Sequence, residues 1–219
     1  MHKAVQNLIY IQNEVKSILN NKDNSKLPRI IAVSKTFELD KILPLINHGH
    51  LDFGENKVQE AVKKWTGIKN KKPEIQLHMI GKLQSNKVKF AVKLFDYIHS
   101  VDNEKLAKKI AEEQLILKKK IKIFIQINVG NESQKSGIDP NNVGNFLNYC
   151  KNLNLNVIVL MCIPPESTDS KVFFEQMKEL AKKYNQNELS MGMSADYLNA
   201  AQLNSTYIRI GSSIFGQRN

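Results

Sequence analysis

From Arg29 to Ile210 the chain alternates short apolar runs with longer stretches of helical periodicity, about eight times over. Few folds accommodate that pattern. The run Ile30-Ile31-Ala32-Val33 is apolar at every position, so a strand formed there is buried on both faces, as in a parallel sheet. Parallel neighbours must be joined by a crossover, usually a helix, and the stretches between the runs have that character. Within 219 residues this many strand–helix units favour a closed barrel over a doubly wound open sheet. The expectation is a single α/β domain over residues 1–219, a (β/α)8 TIM-type barrel with an extra helix at the N-terminus.

Leu8, Ile11, Val15, Ile18 and Leu19 recur at helical spacing and predict an amphipathic helix over 3–20, followed by a polar connector over 22–26. Strands are expected at 29–34, 51–53, 75–80, 97–100, 120–129, 157–163, 189–191 and 206–210. Helices are expected at 38–48, 57–65, 87–94, 104–118, 140–151, 170–184 and 195–203. Pro44 should kink the helix over 38–48 or delay its start. Residues 67–74, rich in Lys and Asn, read as a loop. Asp102 or Asn103 is the expected N-cap of the helix over 104–118.

A formal charge of +11 raises nucleic acid as a partner. The excess is nearly all lysine, scattered over helices and loops, because Arg29, Arg209 and Arg218 are the only arginines. Without a basic stripe interleaved with aromatics, only non-specific attraction is expected. Cys150 and Cys162 lie in or beside apolar runs and lack metal-ligand spacing, which suits buried thiols in a reducing cytoplasm. No stretch has the uninterrupted apolar core of a signal peptide or a membrane span. A cytoplasmic location is expected, with no membrane partner.

In parallel α/β folds the carboxyl ends of the strands carry the chemistry. Lys35 follows the run ending at Val33, and a lysine partly desolvated there has a lowered pKa and an amine available for Schiff-base chemistry. The alternative is one more surface lysine in a lysine-rich chain. Two glycine–serine turns, Gly192-Met193-Ser194 and Gly211-Ser212, follow the last two expected strands, where barrel enzymes hold phosphate. Their hydroxyls and nearby amides suit an anion. Arg209 lies inside an apolar strand and needs a partner when buried; a carboxylate such as Glu55 is one option. A lone His78 reads as a packed, hydrogen-bonded residue. Lys135 is either a second reactive amine or a solvated loop lysine, and the second is favoured.

The segment AVSKTFELDKILPLINHGHLDFGENKVQEAV closely resembles the pyridoxal-phosphate-binding family of PLP homeostasis proteins (YggS-like or PROSC-like). Further segments LHMIG-K-LQSNK, KSGI, LMCIP, LSMGMS and RIGSSIFG follow in family order, so the resemblance runs from near Leu27 to Arg218. Lys82 and Ser212 stand where the family often has other residues. The resemblance implies a barrel similar to the N-terminal domain of alanine racemase. It also implies pyridoxal 5'-phosphate (PLP) as cofactor, held as a Schiff base on Lys35. Asn56 would lie beside the ring with Met79 and Ile80 as its apolar walls, and Arg209 would face the pyridine nitrogen. Met191, Gly192, Ser194, Gly211 and Ser212 would lie around the phosphate. The implied role is PLP (vitamin B6) homeostasis or delivery to apo-PLP enzymes, by a monomer or weak dimer without established catalysis. A racemase of the alanine type needs a second acid/base from a C-terminal β domain, and none is expected after Asn219. The alternatives are a PLP-dependent amino-acid racemase or lyase, a phosphosugar barrel enzyme and, last, a nucleic-acid binder.

Overall fold

A computed structural model of the chain describes residues 1–20, 27–132, 134–166 and 169–217. The expected connector over 22–26 lies outside the described residues. Strands and helices alternate as β1 (Arg29–Val33), α2 (Leu39–Asn47), β2 (Asp52–Glu55), α3 (Val58–Lys71), β3 (Gln76–Met79), α4 (Val88–Leu94), β4 (Tyr97–Val101) and α5 (Glu104–Leu117). They continue as β5 (Lys122–Ile127), α6 (Val143–Asn152), β6 (Asn156–Cys162), α7 (Ser170–Lys183), β7 (Leu189–Ser190), α8 (Tyr197–Gln202), β8 (Tyr207–Ile210) and a short α9 (Ser212–Phe215). All neighbours pair in parallel, and β8 closes on β1 with Arg29 opposite Tyr207 and Ala32 opposite Ile210. The closed eight-stranded barrel is the expected one.

Ahead of it stands α1 (Lys3–Ile18), which buries Leu8, Ile11 and Val15. Helix α1 packs beside α2, α8 and α9. The Asn7 side-chain amide donates to the Ile214 carbonyl at 2.9 Å, and the Tyr197 hydroxyl donates to Glu14. The extra helix thus braces the elements that follow β7 and β8. Among the described residues no helix is long and apolar enough to cross a membrane.

Strand side chains alternate between two cores. Outward residues meet the helices in one large apolar layer, where Trp65 and Phe53 are fully buried with ring centroids 4.9 Å apart. Burying an aromatic side chain of this kind contributes about 1.5–3 kcal/mol. Inward residues form a smaller core of Ile31, Tyr97, Phe124, Val159, Met161 and Tyr207. Two histidines join it, His78 stacked on Tyr97 at 4.1 Å and His99 over Phe124 at 3.7 Å.

Two local expectations change. Strand β2 runs through Gly54 and Glu55, because Gly54 pairs with both Val33 and His78. Helix α3 continues to Lys71 through most of the expected loop, since the apolar stripe Val58, Ala61 and Trp65 extends to Ile68. Helix α2 starts at Leu39, so its start is not delayed past Pro44, whose missing N–H leaves the carbonyl of exposed Asp40 without its helical partner. At α5 the cap is Asn103, whose side chain accepts from the Leu106 amide.

Candidate functional site

Two cavities open at opposite ends of the barrel. One of about 580 Å³ lies at the amino ends of the strands, beside Arg29, His50 and Asp52. The other, about 420 Å³, lies at the carboxyl ends and is lined by Val33, Lys35, Asn56, Ile80, Ser194, Arg209, Gly211 and Ser212 among others. Strand polarity decides between them, since loops at the carboxyl ends present side chains and amides to a ligand while the other face stabilises.

Lys35 follows β1 in a turn tied to α3. Ahead of it, the Ser34 carbonyl accepts from Lys64 Nζ at 3.0 Å and the Ser34 hydroxyl donates to Glu55 Oε1 at 2.7 Å. Behind it, the Thr36 amide donates to Glu60 Oε1 at 2.8 Å. Glu55 is fully buried and also accepts from Trp65 Nε1 at 2.9 Å and Lys64 at 3.0 Å. It therefore points outward to α3, and the option of a Glu55–Arg209 ion pair is excluded.

Asn56 caps the end of β2, held by close approach of the next strand end. A Cβ on Gly81 would stand 2.4 Å from the Asn56 carbonyl, so only glycine fits there. The Asn56 side-chain Oδ1 is buried without a hydrogen-bond partner. Across the cavity, the Ser194 hydroxyl oxygen accepts from the amides of Gly211 and Ser213, each at 3.3 Å.

Arg209 is buried on β8 and satisfied by uncharged partners: it donates to Ser190 Oγ at 2.7 Å and to the Cys162 carbonyl at 2.8 Å. From Ser190 a polar chain runs down the barrel axis. Ser190 Oγ meets His99 Nδ1 at 3.4 Å, His99 Nε2 meets His78 Nδ1 at 3.0 Å, and His78 Nε2 meets Asp52 Oδ1 at 2.9 Å. A guanidinium only donates and a carboxylate only accepts, so Ser190 Oγ accepts from Arg209 and His78 Nε2 donates to Asp52. With both imidazoles neutral, His78 Nδ1 then accepts from His99 Nε2 and His99 Nδ1 accepts from the Ser190 hydroxyl. Burial, with His78 and Arg209 nearby, pushes His99 well below its ordinary value. Burial also lowers His78, against the pull of Asp52. Burial works to raise the Asp52 carboxyl, but His78 and Arg29 outweigh it and hold the group low. Lowered imidazoles agree with that order, two neutral rings between a cation and an anion.

Lys35, Asn56, Ser194, Arg209, Gly211 and Ser212 are thus brought to one cavity. Met79 and Met191 are not: both are buried in the outer layer. Each sits one residue beyond an inward neighbour, His78 or Ser190, so strand alternation turns it towards the helices. Ile80, the other expected wall, does line the cavity, and Met193 lines it as well. Gly192 has φ of +92° and packs against α8, where a Cβ would lie 2.5 Å from that of Ala200. Its role is to let α8 approach. Lys135 pairs with Glu132 at 2.6 Å, as a loop lysine does. Both cysteines are buried, and desolvation pushes their thiols up to about 12, so they are inert. Among the described residues no group of histidines, cysteines and carboxylates could hold a metal.

Residues 8–219 match the family described as alanine racemase, N-terminal domain. A pyridoxal phosphate homeostasis protein of Pasteurella multocida is 36% identical over 225 residues, covering 97% of each chain. The chain belongs to the pyridoxal phosphate homeostasis protein family. A solved member of that family's fold, PipY of Synechococcus elongatus with PLP bound, is 32% identical with a TM-score of 0.78, covering 94% of this chain and 100% of that one. Alanine racemase of Clostridium difficile shares the fold at 15% identity and a TM-score of 0.73, with 99% of this chain matched to 57% of the racemase. For this member of the homeostasis family, the sequence motifs pointed to the rim of the cavity. His78 is the packed, hydrogen-bonded residue expected, but the sequence missed the other supports: Ser190, His99 and Asp52 inside the barrel, and Glu60 and Lys64 behind Lys35.

Proposed function

We propose that this protein, as one barrel domain over residues 1–219, binds pyridoxal 5'-phosphate through Lys35 and serves intracellular PLP homeostasis or delivery without catalytic turnover. The observation that carries the reading is the meeting of an amine, a buried guanidinium and paired hydroxyls in one cavity of about 420 Å³. The residues fit the group. Asn56 Oδ1 is a buried acceptor with no partner in the protein, and Val33 and Ile80 offer apolar walls. The Ser194 and Ser212 hydroxyls, among the amides of Gly211 and Ser213, suit a phosphate through charge-assisted bonds. The cavity is within the ordinary size range of small-molecule sites.

When bound, PLP supplies an aldehyde that condenses with an amine and a pyridine ring that can delocalise charge. Lys35 is the amine at hand. Arg209, held by Ser190 and the Cys162 carbonyl, is the group suited to the ring nitrogen. A guanidinium keeps its proton, so a ring nitrogen facing it stays unprotonated and the ring is a weak electron sink. That favours holding the cofactor over reacting through it. The name of the Pasteurella relative and the PLP-bound state of PipY support the same reading. The likeness to racemases is one of fold. The reading includes a cytoplasmic monomer or weak dimer, with apo-PLP enzymes as recipients.

The test is incubation of the PLP-loaded protein with single enantiomers of alanine or serine in deuterated water. Retained optical purity, with slow transfer of PLP to an apo-enzyme, is the expected result. Rapid racemisation with deuterium at the α-carbon, abolished by Lys35→Ala, would replace the carrier with a PLP-dependent racemase.

A further inference from the structure

Thr36, the residue after Lys35, has φ of +69°, in the left-handed region where a β-branched side chain is an outlier. The other non-glycine residues at positive φ among the described ones are asparagines, which tolerate it, and Lys118. Thr36 is also exposed, so packing of its own side chain does not hold it there. The Phe37 amide closes the turn by donating to the Ser34 carbonyl at 3.2 Å, and the first turns of α3 brace it from outside. Glu60 Oε1 accepts from the Thr36 amide at 2.8 Å, and Lys64 Nζ bridges Glu60 Oε1 at 3.2 Å to the Ser34 carbonyl at 3.0 Å. The Lys64 side chain is 8% exposed and is fixed in turn by Glu55 at 3.0 Å. The peptide groups on both sides of Lys35 are therefore clamped to one rigid helix. Glu60 belongs to the FGENKVQE segment, yet it does not line the cavity and binding leaves it unassigned.

We propose that Glu60, braced by Lys64, is a positioning residue for Lys35: it imposes the strained turn that aims the Lys35 amine into the cavity. The proposal rests on Lys35 being the PLP-binding amine. Released from Glu60, the Thr36 peptide relaxes to negative φ and the Lys35 backbone turns with it. Glu60→Asp keeps the charge but falls one methylene short of the Thr36 amide. Glu60→Gln keeps an acceptor at the same reach. Glycine at 36 adopts the native φ without strain, so Thr36→Gly should make the clamp dispensable.

The experiment measures two things on the full chain. One is amide hydrogen exchange of the segment 34–37 without PLP; the other is the rate at which PLP is trapped by borohydride on Lys35. Glu60→Asp should speed exchange at Thr36 and slow trapping about tenfold, the scale set by left-handed strain at a non-glycine residue. Glu60→Gln should stay within about threefold of the unsubstituted protein, since the amide bond survives. The double variant Glu60→Asp with Thr36→Gly should recover trapping. A general loss of stability would not be rescued by glycine at one position. Unchanged exchange and trapping in Glu60→Asp, or failure of Thr36→Gly to rescue, overturns the proposal. If Lys35 is unlabelled in the unsubstituted protein, the reading of the site falls and positioning falls with it. If Lys35 is labelled but indifferent to Glu60, only the positioning role falls.

Discussion

Ser190→Ala tests whether the polar chain beneath the cavity holds Arg209. The substitution removes one oxygen from a fully buried position, so little apolar burial is lost and the side chain still fits. What disappears is the acceptor of the 2.7 Å bond from Arg209 and the neighbour of His99 Nδ1 at 3.4 Å. A hydrogen bond to a charged group is worth about 1.5–3 kcal/mol, and the long contact to His99 adds at the weak end. Arg209 keeps the Cys162 carbonyl, so the guanidinium is not left wholly unpaired. The expected loss is ~2 kcal/mol. With a urea dependence of about 1–3 kcal/mol per molar, the unfolding midpoint should fall by ~1 M at unchanged slope. Urea titration followed by circular dichroism reads this directly, and a repeat with PLP should show weakened stabilisation by the cofactor. A midpoint within ~0.2 M of the unsubstituted protein would refute the view that Ser190 carries Arg209.

Further outcomes are expected from the same geometry. Pyridoxal, lacking phosphate, should bind at least about a hundredfold more weakly than PLP, because two or more charge-assisted bonds of about 1.5–3 kcal/mol each are lost; equilibrium titration of both ligands checks it. Burial lowers His78 and His99 from the usual 6.5, so below that pH the unfolded chain binds protons that the folded one does not. Stability should be full above about pH 6.5 and fall as the pH drops below it, read as thermal midpoints between pH 7.5 and 5.5, with the slope reduced in His99→Gln. Asp52, held below its ordinary 3.8, contributes to loss only at lower pH. Met79→Leu and Met191→Leu should leave PLP affinity within about twofold, as both side chains face the helices and the swap conserves volume.

The barrel was legible because each strand is a short apolar run and each crossover keeps a helical stripe. Lys35, Ser194, Arg209 and Ser212 were legible because they follow or interrupt such runs at carboxyl ends, whereas Asn56 came from the family resemblance. The same reasoning misplaced Met79 and Met191, since a strand buried on both faces shows no apolar–polar alternation to say which residue points inward. The pairs His78/Met79 and Ser190/Met191 carried the signal: in each, the polar member belongs inside this barrel. The chain from Ser190 to Asp52 could not be seen, because it joins residues from four strands that meet only on closure. Helix α3 was read too short because Gly67 and the lysines around it mask the stripe reaching Ile68. Its Glu60 lies within the FGENKVQE motif, but only the turn geometry at Thr36 gives it a task.

The most direct measurement is reduction of the PLP-loaded protein with borohydride, followed by proteolysis and peptide mass mapping. Borohydride converts a carbon–nitrogen double bond between cofactor and lysine into a stable amine. The chain carries 32 lysines and arginines, nearly all lysine, so chance labelling would be spread over many peptides. The expected result is one dominant pyridoxyl-bearing peptide, with the label on Lys35 and lost in Lys35→Ala. A label on Lys64, on Lys135 or scattered over surface lysines, with Lys35 unmodified, would contradict the assignment of the cavity at the carboxyl end of β1.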